Sequence, residues 1–142
     1  MMLCSVCRQL KILCKPCEEA KKEGNLNRTE VYLSRLIAKS EKKVEFSDAF
    51  DLGRKLLIIS SDAENLRSID FGKETIIVDK GFIDIETLLS PIKPKKTIAF
   101  LPGGKKEERL TLSRAELKSA EFNVENLESA VERLGLKRVR LV

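Results

Sequence analysis

The sequence predicts an α+β protein with a four-cysteine metal head, and three observations carry that prediction. All four cysteines of the 142-residue chain fall between positions 4 and 17. Short helix-period and strand-period stretches follow one another along the rest. Pro91 and Pro94 separate a middle block from a last block with its own hairpin signal. The expected parts are a Cys4 zinc knuckle or ribbon at 1–26, a small α/β middle at 27–90 and an α+β unit at 91–142.

The elements follow in order. Residues 18–23 read as a short helix stopped by Gly24. Asn27 and Glu30 have the spacing of a capping box, opening a helix to about Lys42. Its expected apolar stripe is Tyr32, Leu33, Leu36 and Ile37, with Arg28, Arg35, Lys39 and Lys42 on the opposite face. Residues 44–50 and 55–60 read as strands joined by a turn at 51–53. Leu56 to Ile59 are continuously apolar, as in a strand buried on both faces. A short helix at 62–69, a strand at 75–79 and a helix at 83–89 after Gly81 complete the middle; the last must end near Pro91.

Beyond it, residues 97–101 and 108–112 flank Pro102-Gly103-Gly104-Lys105, the best hairpin signal in the chain. Ser113 and Glu116 cap a short helix. Asn123 opens a stronger one, with apolar Val124, Leu127, Val131 and Leu134 and a stop at Gly135. Its outer face carries Glu125, Glu128 and Glu132, which disfavours contact with nucleic acid. The last strand, 137–142, alternates Arg138 and Arg140 with Val139 and Leu141.

Cys4, Cys7, Cys14 and Cys17 are spaced C-x2-C-x6-C-x2-C. Two residues between cysteines let both sulfurs of a knuckle turn to one ion, and two knuckles supply the four soft ligands of tetrahedral zinc. Four protein sulfurs leave no position for substrate or activated water, so the expected role is structural. An iron–sulfur cluster or a redox dithiol pair is the alternative. Leu3, Leu10, Ile12 and Leu13 are placed to cover the site, and Lys11, Lys15, Lys21 and Lys22 to offset its charge.

Composition narrows the function. Hydrophobic residues make up 42% and charged residues 35%, as in globular proteins rather than disordered ones. Abundant Lys and Glu with one Gln and no His or Trp match a hyperthermophile's usage. The apolar runs are too short to span a bilayer and no signal-peptide stretch precedes Cys4, so a cytoplasmic location is expected. Without histidine, the commonest general base is missing, and no nucleophile elbow, P-loop or dinucleotide fingerprint occurs. Asp48 with Asp51, and Asp62 with Glu64, read as solvated turn residues. The expectation is a non-enzyme without a small-molecule substrate.

The net charge of +5 is unevenly spread. Residues 1–43 hold ten basic against five acidic groups, 44–94 six against ten, and 95–142 eleven against seven. Basic ends point to a polyanionic partner, most simply nucleic acid. The candidate contacts are Arg28, Arg35, Lys39, Lys42, Lys105, Lys106, Arg138 and Arg140. An ordinary solvated surface is the alternative.

A family resemblance sharpens this. The head, Leu3-Cys4-Ser5-Val6-Cys7 then Leu13-Cys14-Lys15-Pro16-Cys17-Glu18-Glu19, is followed by Gly24 and a helix from Thr29. It resembles the N-terminus of archaeal zinc-cluster proteins with a KH domain, described as NusA-like transcription elongation factors. A helix end at Leu89-Ser90-Pro91, the stretch Phe100-Leu101-Pro102-Gly103-Gly104 and the final Lys137-Arg138-Val139-Arg140-Leu141-Val142 resemble that family's later motifs in the same order. The resemblance implies a KH-like middle and RNA or a ribonucleoprotein, such as the ribosome or an RNA polymerase complex, as partner. The middle departs from the family: a KH domain grips nucleotides with a G-x-x-G loop, and none lies between the strands at 55–60 and 75–79. A shrunken KH-like middle without its clamp leaves binding to the basic head and tail. The competing expectations are a protein–protein adaptor on the same machinery and a redox or metal-handling protein.

Overall fold

Residues 1–79 and 83–142 are described by a computed structural model. The expected role of Gly81 lies outside them. The chain is mixed α+β, with six helices and two three-stranded sheets among the described residues. It packs as two compact units, Met1–Asp51 with Lys55–Ile83, and Leu52–Arg54 with Asp84–Val142. The expected head and middle thus share the first unit, and the second begins before Pro91.

In the first unit, α1 (Lys15–Lys22) starts earlier than its charge pattern suggests. Pro16 suits a first helical turn, where its missing N–H costs nothing, and the Glu18 amide donates to the Cys14 carbonyl at 2.9 Å. Helix α2 (Arg28–Lys39) has the complete capping box: Glu30 N–H to Asn27 Oδ1 at 2.8 Å and Asn27 N–H to Glu30 Oε1 at 2.9 Å. It stops three residues short of Lys42. The Ser40 hydroxyl donates to the Ile37 carbonyl, and Glu41 turns left-handed at φ 60°.

Strands β1 (Asp48–Asp51) and β2 (Leu56–Ile59) pair antiparallel, and β2 pairs parallel with β3 (Thr75–Val78). One helix, α3 (Ala63–Arg67), links the parallel pair. All four residues of β2 are buried, as its unbroken apolar run requires. Leu33 and Ile37 of α2, Val44, Phe46, Ala49, Leu56, Ile58, Leu66, Phe71 and Ile77 form the core here. Residues 44–47 precede β1 outside the strand proper, with the Ser47 amide donating to the Ile59 carbonyl at 2.8 Å and Val44 and Phe46 buried.

In the second unit, α4 (Ile85–Leu89) is capped by Asp84. Strands β4 (Lys95–Phe100) and β5 (Lys106–Leu112) make the expected hairpin, each starting two residues early. Strand β6 (Val139–Leu141) joins β5 in parallel. Helices α5 (Arg114–Ser119) and α6 (Val124–Arg133) are capped by Ser113 and Asn123 as their spacing predicts. Alternation places Leu110, Leu112 and Val139 on one sheet face, where they are buried. Leu88, Leu89, Leu117, Leu127 and Ala130 supply buried side chains from the helices. In α6 the buried stripe includes Ala130, whereas Val131 and Leu134 stay half-exposed.

Candidate metal centre and basic surfaces

The four cysteines converge. Their sulfurs lie within 4.8 Å of one another, so the cluster could hold one metal ion. Local hydrogen bonding explains the convergence. The Cys7 amide donates to Cys4 Sγ at 3.5 Å, and the Cys14 amide to Cys7 Sγ at 3.1 Å. The Arg8 amide closes a turn on the Cys4 carbonyl at 3.1 Å. Cys14 is the residue before α1 and Cys17 sits in its first turn, where the helix N-terminus favours negative sulfur.

The thiols are unequal. Cys4 is lowered to about 6, first by the Cys7 amide bonded to its sulfur and then by the Cys7 thiol. Cys7 is raised to about 12: the Cys14 amide pulls it down, but burial and the neighbouring sulfurs push it up further. Cys17 is also raised, a Cys4 backbone contact being outweighed by burial and by the Cys14 and Cys4 sulfurs. A metal bound by four thiolates would displace whatever protons the sulfurs hold, so its affinity would rise with pH.

The head has a small core of its own. Leu3, Cys7, Cys17 and Leu26 are buried together, with Leu13, Ala20 and Val31 packed against them. The Leu3 amide donates to Ser34 Oγ at 3.0 Å, Arg8 Nε to the Leu3 carbonyl at 2.8 Å, and the Met1 amino group pairs with Glu30. Of the expected covering residues, Leu3 and Leu13 pack, but Leu10 and Ile12 do not; Ile12 is 75% exposed, beside Val6 at 62%. Both Leu10 and Ile12 lie in the x6 segment between the two cysteine pairs, whose last residue, Leu13, turns onto the head core.

The expected nucleic-acid residues fall in both units. Arg28 and Lys39 are exposed on α2 and Arg35 is half-buried there. Lys42 lies past the helix end and bonds the Ser68 hydroxyl, so it does not extend the row. Tyr32, expected in the apolar stripe, is 60% exposed; Ser34 and Glu30 take buried places instead. At about 100° per residue, Tyr32 points some 140° away from Ile37, so adjacency to Leu33 misleads.

In the second unit, Lys105 occupies the hairpin turn, and Lys106 Nζ stands 5.7 Å from the centroid of the exposed Phe100 ring. Arg140 faces Thr111 across the β5–β6 pair, and Lys95 faces Thr111 across β4–β5. Alternation puts Arg138 and Arg109 on the same side. None of these residues is buried, so this sheet face is basic and polar. Glu107 shares it and pairs with Arg109 at 3.9 Å. Lys95 and Arg109 were absent from the expected basic set and Tyr32 was placed in the apolar stripe, although strand alternation and the helical angle carry the signal for all three. Glu128, expected on an acidic outer face, is partly covered and pairs with Arg114.

Among the described residues no helix is long and apolar enough to cross a membrane. No family model and no curated protein matches the chain.

Proposed function

We propose that the chain is a non-catalytic, zinc-anchored cytoplasmic factor that binds RNA or a ribonucleoprotein, of the archaeal NusA-like transcription elongation kind. The observation that carries this reading is the gathering of cations on faces rather than their scatter. One face of α2 holds Arg28, Arg35 and Lys39 with no acidic residue, and one face of the second sheet holds Lys95, Arg109, Arg138 and Arg140. Phosphate contacts from such faces account for most sequence-independent affinity.

Zinc is the ion that suits the donors. Four thiolates select a soft or borderline cation, and zinc–sulfur bonds of about 2.3 Å set tetrahedral sulfurs about 3.8 Å apart. Cys4 Sγ and Cys14 Sγ stand 3.8 Å apart. Cys4, Cys7, Cys14 and Cys17 would hold it and fill its shell, so zinc supplies folding free energy and no open site. The middle supports a KH-like origin in its helix, two strands, helix and strand, but α3 stands alone where the family has helix, loop and helix. Binding then falls to the basic faces, with Lys105 and Lys106 at the hairpin tip.

The adaptor reading is favoured by the exposure of three apolar side chains of the head, Val6, Leu10 and Ile12. One set of measurements separates the two. Purified protein is expected to carry one zinc per chain and to bind RNA with an affinity that falls steeply with salt. Four phosphate contacts to a single strand give a log–log slope of about −3. Glu substitutions at Arg35, Lys39, Lys105 and Arg138 are expected to abolish most of that slope. Binding indifferent to salt and to these charges, or capture of a protein after nuclease treatment with no affinity for RNA, would overturn the RNA reading.

A further inference from the structure

We infer that the outward stripe of α2 is a stacking platform for single-stranded RNA, with Tyr32 taking a base and Arg28, Arg35 and Lys39 the flanking phosphates. This rests on the RNA-binding reading above and names the form of RNA and the residue that selects it.

Geometry makes the four residues one surface. Arg28, Tyr32, Arg35 and Lys39 follow one another at spacings of four, three and four. At about 100° per residue they fall within about 60° of arc. The buried positions Glu30, Leu33, Ser34 and Ile37 lie on the opposite side of the helix. Glu30, the one acid of α2, is therefore turned inward, where it accepts from the Asn27 and Ala49 amides.

The stripe is chemically uncommitted. None of Arg28, Arg35 and Lys39 is in an ion pair among the described residues. The cation–ring contact at Phe100 is made by Lys106, and none is made at Tyr32 among the described residues, so the Tyr32 ring face is not covered by an arginine one turn away. A lone exposed aromatic needs no explanation, but this one has cations a turn before and a turn after it. An aromatic platform between phosphate-binding cations is how unpaired strands are held without base-specific contacts. A duplex hides its base faces and would use the cations alone.

Fluorescence anisotropy with an oligouridine of about 12 nucleotides, with the corresponding oligouridine–oligoadenine duplex as control, tests this. Tyr32→Ala is expected to weaken single-strand binding about 5- to 150-fold without changing the salt slope. Tyr32→Phe should retain wild-type affinity, since the ring is what stacks. Arg28→Gln should reduce the slope by about 0.7. Duplex affinity should be indifferent to Tyr32. Full single-strand affinity in Tyr32→Ala, or failure of phenylalanine to rescue, overturns the platform while salt-dependent RNA binding through Arg138 and Arg140 leaves the broader reading standing. Wild-type protein that binds an acidic peptide and no RNA overturns both. Tyr32 is exposed, so these variants are expected to fold, and unchanged urea midpoints check it.

Discussion

Glu30 is fully buried and serves three donors at once: the Asn27 amide, the Ala49 amide at 3.2 Å and the Met1 amino group. Removing a carboxylate in that position strands two interior N–H groups, each costing about 1–3 kcal/mol. Losing the Asn27 side chain removes one cap and the 2.8 Å bond from Asn27 Nδ2 to the Ala49 carbonyl, together about 1–2 kcal/mol. Glu30→Ala is therefore expected to lower stability by about 2–5 kcal/mol, more than Asn27→Ala, with Glu30→Gln intermediate; urea midpoints of the three variants check the order. The cap was legible because its partners are three residues apart, a distance that one helical turn fixes. The Ala49 contact was not, because nothing local ties residue 30 to residue 49. The same boundary separates the site residues. Cys-x2-Cys spacing dictates its own geometry, so the convergence of the four cysteines was readable, whereas Leu10 and Ile12 were assigned to cover by hydrophobicity alone and face solvent.

At the scale of elements, every expected helix and strand has a counterpart, although the first strand keeps only three of its seven expected residues, and some boundary shifts have local causes. Helix α2 ends early at the Ser40 hydroxyl and the left-handed Glu41; β4 and β5 extend because a hairpin ladder continues while both strands can pair. The pairing of β3 with β2 and of β6 with β5, both parallel, was beyond reach, since parallel partners are set by tertiary packing rather than by a turn. Helix α4 is short enough for its cap to matter. Asp84 accepts from the Thr87 hydroxyl at 2.7 Å and the Glu86 amide at 3.1 Å, and the Thr87 contact leads in holding its carboxyl below the usual value. A depressed carboxyl stabilises the fold fully above its unfolded pKa of about 3.9 and loses that contribution as pH falls through the lower folded value. Asp84→Ala is thus expected to be less stable than wild type at pH 7, with the gap narrowing below about pH 4. Urea titrations of both proteins across that window would show it, and a gap independent of pH would refute the charge's role.

For the whole molecule, the question is how far the four sulfurs reach into the fold. The head's buried set, Leu3, Cys7, Cys17 and Leu26, meets α2 through Val31, Ser34 and Glu30. The core around β2 holds no cysteine, and neither does the second unit. Metal binding by four thiolates is worth on the order of 10 kcal/mol at neutral pH, as much as burial of a four-residue apolar cluster supplies. Without the ion, the convergence rests on two amide–sulfur bonds alone, Cys7 N–H to Cys4 Sγ at 3.5 Å and Cys14 N–H to Cys7 Sγ at 3.1 Å. Chelation is therefore expected to unfold the head and spare the rest. In hydrogen exchange, the amides of Arg8, Leu10 and Glu18, bonded to the carbonyls of Cys4, Cys7 and Cys14, should lose protection. Those of Leu56 to Ile59 should keep theirs, as should the β4–β5 hairpin. Cys14→Ser should reproduce the pattern without chelator. Because Leu3 and Glu30 join the head to α2, partial loss at the first turn of α2 is the expected limit of the damage. Collapse of the β2 amides on chelation would mean that the metal anchors the whole unit, and protection unchanged at Arg8 and Glu18 would mean that it anchors nothing.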